Sequence, residues 1–196
     1  KFDDNYTASF EGKDIFTFDY PSEWYFLNNW GPHKEENNDP EWEIRIANQN
    51  VNHWSEAPHS FAVLYHALNE SETIDTITKK EFEKKVDEEI NNMEESEKGK
   101  IINIKNTEID GKTAYIITSS AKYTNREGKE INAKGDTAYI YADGYMQNFS
   151  YVSTPDEYNQ NISSKFFDSI KFMDGKRIEF EDPNLEEVIR EKINKP

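Results

Sequence analysis

Between Ile101 and Ser153 lies the clearest sheet signal of the chain, four successive strands at Ile101–Ile109, Lys112–Tyr123, Ile131–Ala142 and Tyr145–Ser153. Asp110-Gly111 and Asp143-Gly144 link two of these pairs, and such two-residue links adopt the positive φ angles that match hairpin twist. Asn125–Lys129 supplies a longer turn between the second and third runs. Links this short cannot join parallel strands, so the four runs predict an antiparallel meander.

Upstream, Thr7–Phe10 and Ile15–Tyr20 predict two shorter strands around Glu11-Gly12-Lys13. Pro21 ends the second, and Ser22-Glu23 turns the chain into Trp24-Tyr25-Phe26. Asn28-Asn29, Gly31-Pro32 and Asn37-Asn38-Asp39-Pro40 then predict an irregular polar stretch. Strands resume at Trp42–Ala47 and Ser60–Leu68.

The helical period appears three times. Phe82, Val86, Ile90 and Met93 fall on one face of a helix. Thr78-Lys79-Lys80-Glu81 opens that helix as a capping box, and Gly99 closes it. Tyr158, Ile162, Phe166 and Ile170 predict a second helix, expected to start at Thr154-Pro155-Asp156-Glu157 with threonine as cap and proline in the first turn. After a turn at Asp174-Gly175 come a short strand, Arg177–Phe180, and a last helix from Asp182-Pro183 carrying Leu185, Val188, Ile189 and Ile193. Each stripe must be buried against a sheet face. The expected fold is therefore α+β, a single antiparallel β-sheet flanked by α-helices, with a short C-terminal helix appended.

With 196 residues the chain is long enough to bury a core without a covalent staple. Hydrophobic residues are only 35% of it, but 14% are aromatic, which restores buried area and argues against disorder. The net charge of −16 repels phosphate backbones and anionic lipid surfaces, so nucleic acid is excluded as a partner. It keeps the chain soluble, or draws cations or a basic partner. Without cysteine there is no disulfide, thiolate nucleophile or cysteine-bound zinc. No apolar run approaches the ~18 residues of a membrane helix, so no membrane insertion is expected within this chain. It opens at Lys1-Phe2-Asp3 without methionine, as expected of a mature or excised chain.

Phe16-Thr17-Phe18-Asp19-Tyr20-Pro21-Ser22-Glu23-Trp24 resembles the strand, Tyr-Pro, x-x-Trp opening of PsbP-like domains. Glu108-Ile109-Asp110-Gly111-Lys112 and the closing Phe166, Phe167, Ile170 and Phe172 extend the resemblance over roughly Phe10 to Phe172. That family is named for an extrinsic photosystem II subunit and has bacterial lipoprotein and secreted relatives. It implies an α/β/α sandwich and a binding or assembly role without catalysis. The chloride and calcium retention of photosynthetic members has no matching residues here. Ile178–Arg190, with its Asp182-Pro183-Asn184-Leu185, resembles the N-terminal cap of bacterial internalin-like leucine-rich-repeat proteins; such a cap shields the first repeat. The plain alternative is a third helix packed on the domain's own sheet. The expected organisation is a PsbP-like antiparallel domain at 1–174 followed by a strand-helix segment at 175–196, a fragment of such a cap.

Catalytic signatures are missing. There is no Gly-x-Ser-x-Gly elbow, phosphate-cradling glycine loop, His-Glu-x-x-His or calcium loop. His33, His53, His59 and His66 lack helical i, i+4 spacing, so neither metal nor cofactor is expected. Nothing selects a pair from 39 acidic residues. Lys134-Gly135-Asp136 is read as a chance tripeptide. The candidate binding residues are Trp30, His33, Trp42, Trp54 and His59, where aromatics interleave with turn residues on loops. The competing reading is that these tryptophans roof the sheet edge.

These observations favour a non-enzymatic extracytoplasmic binding or scaffold module of a bacterial secreted or surface protein, with a protein as its partner. A divalent-cation or small-ligand binding protein is the first alternative, and a hydrolase with an unrecognised carboxylate pair the second.

Overall fold

The computed structural model describes residues 1–10, 13–34, 40–51, 57–66, 77–95, 99–124, 128–142 and 144–173. In order these form β1 (Phe2–Phe10), β2 (Lys13–Pro21), β3 (Tyr25–Lys34), β4 (Pro40–Ala47), β5 (His59–His66), α1 (Lys79–Glu95), β6 (Gly99–Ile109), β7 (Lys112–Thr124), β8 (Glu130–Ala142), β9 (Tyr145–Ser153), α2 (Gln160–Ser169) and β10 (Lys171–Phe172). The expected C-terminal strand and helix of 175–196, and the leucine-rich-repeat cap read into them, lie outside the described residues.

The α+β class and the antiparallel meander hold, but the strands divide into two sheets. Seven strands run in the order β3-β4-β5-β9-β8-β7-β6, and three in the order β1-β2-β10. The single-sheet expectation fails because β1, β2 and β10 pair only with one another, as a second layer over the large sheet. The β2 backbone pairs with β1 on one edge and β10 on the other, while Phe16 and Phe18 point into the space between the sheets. β10 has no counterpart among the strands expected from the sequence; in the structure Phe172 pairs with Phe16.

Consecutive residues of the large sheet serve opposite layers, as pleating requires. Ala138 and Ile140 face the main core, whereas Tyr139 lies under α1. The main core joins β2, β4, β5, β8, β9 and α2 through an aromatic lattice. Phe16 meets Tyr65 edge-on at 4.9 Å and Phe149 at 5.0 Å, and Phe61 stacks on Phe166 at 4.1 Å with 6° between the planes. On the other face Phe82 and Val86 of α1 bury against Ile117 and Tyr139, completing the predicted stripe.

Local chemistry explains the element ends. The Thr78 N–H and hydroxyl both donate to Glu81 Oε2, at 2.7 and 2.8 Å, and the Glu81 N–H returns a bond to Thr78 Oγ1 at 3.3 Å. The second helix begins later than expected. Residues 155–157 form a turn, closed by Glu157 N–H donating to the Thr154 carbonyl at 3.2 Å, and Asn159 is the cap, accepting from the Asn161 N–H at 2.9 Å. The stretch containing Gly31-Pro32 is strand and not loop. β3 is an edge strand, where proline costs no ladder bond, and register shifts at Phe26/Asn28 and Trp30/His33 absorb the irregularity.

Candidate functional site

Of the expected aromatic site, three members are placed by their backbone alone. Trp30 and His33 stand on β3 and Trp42 on β4, and their side chains lie outside the described residues, as does all of Trp54. Backbone register sets Trp30 across from Glu43, and Trp42 across from Tyr65. It also places His33 and His66 on either side of Glu41. Among the described residues no three histidine, aspartate or glutamate side chains converge to hold a metal.

His59 is the candidate that the structure places fully. It opens β5, half-buried, with its N–H donating to Asn48 Oδ1 at 3.1 Å and its carbonyl accepting from the Asn48 N–H at 3.0 Å. Its ring runs nearly parallel to those of Trp24 (6.2 Å, 10° between planes) and Tyr151 (6.0 Å, 20°). Nδ1 sits 2.9 Å from the Tyr151 hydroxyl and 3.1 Å from the Ser153 hydroxyl. Burial holds the ring's pKa below its ordinary value, offset in part by the charge of Glu157, so the neutral imidazole is the native form. Both hydroxyls meet the same nitrogen. A nucleophilic triad instead sets serine and carboxylate on opposite ring nitrogens, so this cluster lacks that layout.

Next to it lies a second polar group that the sequence did not single out. Asp136 on β8 pairs with Tyr151 on one side and Thr118 on the other, and only 4% of it is exposed. Thr118 Oγ1 donates to Oδ1 at 2.5 Å and the Tyr158 hydroxyl donates to Oδ2 at 2.7 Å. Burial, and then the bond to Asp136, push the Tyr158 phenol well above its usual range. Lys134 Nζ sits 4.1 Å over the Tyr158 ring, a cation–π contact. Between these residues Gly135 lets β9 approach: a Cβ there would stand 2.3 Å from the Tyr151 carbonyl oxygen. The tripeptide read as chance thus has a task for each residue. A glycine and a charge inside a strand are the available signal.

Together these groups form one polar seam under the turn that leads into α2. Each carboxylate, hydroxyl and imidazole described above is committed to a neighbour inside the protein. Among the described residues Asp136 is the buried carboxylate, and its partners are hydroxyls rather than the second carboxylate that a glycosidase pair requires.

Large apolar groups reach solvent elsewhere. Tyr25 (48% exposed) and Phe26 (43%) stand on edge strand β3, with Phe26 propped by Tyr20 at 5.3 Å and Tyr6 at 5.5 Å. Ile102 (51%) and Ile104 (42%) stand on β6 at the opposite edge. No helix among the described residues is long and apolar enough to cross a membrane.

Neither a family model nor a curated protein matches the chain. Among solved structures it is similar to the solution structure of cyanobacterial PsbP (CyanoP) from Synechocystis sp. PCC 6803, with a TM-score of 0.53 and 10% identity over 87% of this chain and 92% of that one. A crystal structure from Bacteroides thetaiotaomicron VPI-5482 aligns with a TM-score of 0.44 and 12% identity, covering 83% of this chain and 47% of that one. The first match supports a PsbP-like fold; at that identity the likeness is one of fold.

Proposed function

We propose that this PsbP-like chain is a non-catalytic binding or scaffold module of a bacterial extracytoplasmic protein, secreted or anchored at the surface, which works by protein–protein contact. One observation carries the reading. Among the described residues the His59 and Asp136 groups are spent on holding the fold together, while Tyr25 and Phe26 stand exposed on the edge of the large sheet. Aromatic side chains are the residues that most often anchor an interface, and an edge strand adds backbone donors and acceptors for an extended partner. The resemblance of 178–190 to a leucine-rich-repeat cap supports a surface setting, which sequence downstream of Pro196 would test directly.

A photo-crosslinking phenylalanine analogue at position 25 checks the proposal. In envelope extract of the source organism it should yield a discrete adduct that excess unmodified chain suppresses and Phe26→Lys abolishes. The same probe at Glu88, on the outer face of α1, should give none. Identical labelling from both positions, or none from either, sinks the reading.

A cation-binding reading has one observation in its favour, the register that flanks Glu41 with His33 and His66. Thermal unfolding with zinc, manganese or calcium tests it, because a ligand at 100 times its dissociation constant adds about 2.7 kcal/mol. Unchanged melting with all three retires it.

A further inference from the structure

We propose that His33, Glu41 and His66, in register on three adjacent strands, bind a divalent transition-metal ion of the zinc class. The inference rests on the cation-binding reading above, to which it gives ligands and an ion, and is independent of the protein-contact reading.

The juxtaposition follows from backbone register. Glu41 of β4 pairs with His33 of β3 on one side and with His66, the last residue of β5, on the other. Residues directly opposite one another across a strand pair share a face. The β4–β5 register runs unbroken from Glu41 and His66 to Ala47 and Ser60. It is held by Ile44, Ile46, Phe61, Val63 and Tyr65, all in the main core. By alternation Glu41 and His66 belong to the other face of the sheet. A slip of one residue would exchange the faces and expel that core, so the pairing is strongly specified.

β3 comes into the same register through a bulge. From Trp30 to His33 it advances three residues while β4 advances two, from Glu43 to Glu41. Without the additional residue Pro32, not His33, would stand opposite Glu41. Bulges at sheet edges are a device for re-aiming one residue beside a functional site, and β3 is an edge strand. Two of the chain's four histidines thereby flank one glutamate.

The donor types select the ion. Neighbouring strands lie about 4.8 Å apart, so an ion over Glu41 is within one strand spacing of each histidine position. Two imidazoles and one carboxylate are a donor set that zinc takes, with its fourth position left open for water or a bound group. Calcium and magnesium prefer oxygen ligands throughout, and manganese stands at the weak end of the divalent series. Glu43, the next residue of β4 on that face, is ion-paired with Arg45. The net charge of −16 draws cations without choosing among them. The competing reading is a plain cross-strand ladder of two histidines beside a carboxylate, which predicts no stoichiometric ion.

Calorimetric titration of the intact, chelator-stripped chain with zinc chloride tests the site, in a large excess of magnesium to occupy scattered carboxylates. One equivalent should bind. His33→Gln, Glu41→Gln and His66→Gln should each weaken binding by at least about tenfold, since losing even a hydrogen-bonding partner of a ligand costs that much. His53→Gln should leave it unchanged. In the native chain, zinc should shift the ring nitrogen-15 resonances of His33 and His66 and spare those of His59, a readout that needs no variant. Calcium should not compete. If the native chain binds no zinc and no cation moves its melting, this inference and the cation-binding reading fall together. If zinc binds the three variants as tightly as the native chain, or leaves the His33 and His66 resonances in place, cation binding stands and this site is overturned. Competition by calcium at equal affinity would overturn it too, because the ligands would then be oxygens alone.

Discussion

The Tyr158 hydroxyl donates to Asp136 Oδ2 at 2.7 Å, tying the residue just before the cap of α2 to the middle of β8. Asp136 is buried and Thr118 serves its other oxygen. The pair therefore does two things: it satisfies a charge inside the protein, and it sets where the second helix begins. Hydrogen bonds to a buried charge are among the stronger ones, because the alternative is an unsolvated anion.

Removing the phenol oxygen in Tyr158→Phe should cost about 1.5–3 kcal/mol, read from the urea unfolding midpoint at constant m-value. Asp136→Asn should cost a similar amount, since the amide keeps one acceptor but loses the charge. If both substitutions are neutral, the carboxylate is held by something other than these hydroxyls.

Gly135→Ala is a case where two effects oppose. In an ordinary strand, replacing glycine by alanine is worth about 0.5–1 kcal/mol of stability. Here the new Cβ would stand 2.3 Å from the Tyr151 carbonyl oxygen, which is main chain and cannot swing away. Overpacking of this kind costs about 1–3 kcal/mol or more, so net destabilisation is expected. A higher melting temperature for the variant would show that β8 and β9 are not held as close as described.

His59 gives stability a pH dependence of definite sign. Its folded pKa lies below the unfolded value of about 6.5. The native state therefore binds fewer protons, and stability rises with pH through the window between the two values. The contribution is complete above about pH 6.5 and is lost as the pH falls through the folded pKa. His59→Gln should flatten the curve of unfolding midpoint against pH in that window, relative to the native chain. A curve of unchanged slope would assign the dependence to another group.

The cap of α1 should show a local effect. Thr78→Ala removes the oxygen that accepts from the Glu81 N–H and the hydroxyl that donates to the Glu81 carboxylate. A loss of about 1 kcal/mol is expected, with faster amide exchange confined to the first turn. Exchange that accelerates throughout α1 would mean that the cap controls the whole helix.

How much could be read in advance follows from the range of each interaction. The meander was legible because its turns are local: Asp110, Gly111 and Gly144 all take positive φ (50°, 73° and 85°), as those residue pairs demand. The α1 cap was legible for the same reason, since its partners are three residues apart. The edge strand β3 was not, because Gly31-Pro32 has the composition of a loop and only its position at the sheet margin makes it tolerable. α2 starts later than its sequence suggests because Thr154-Pro155-Asp156-Glu157 is a sound capping sequence that loses to tertiary bonds of Tyr158 and Asn159 with Asp136 and Tyr151. His59 stands out in the sequence, but its partners Tyr151 and Ser153 lie 92 and 94 residues away. No local pattern could have joined them.

The two-residue strand β10 has a consequence for biogenesis. Phe172 pairs with Phe16, the Met173 N–H donates to the Ile15 carbonyl at 2.8 Å, and Ser169 Oγ accepts from the Asp19 N–H at 2.9 Å. The β1-β2 hairpin thus waits for residues synthesised some 150 positions later before the second edge of β2 is covered. Until then β2 presents bare backbone and two phenylalanines, Phe16 and Phe18, to whatever is nearby. A nascent chain halted before residue 169 is the form in which this protein would most need a chaperone.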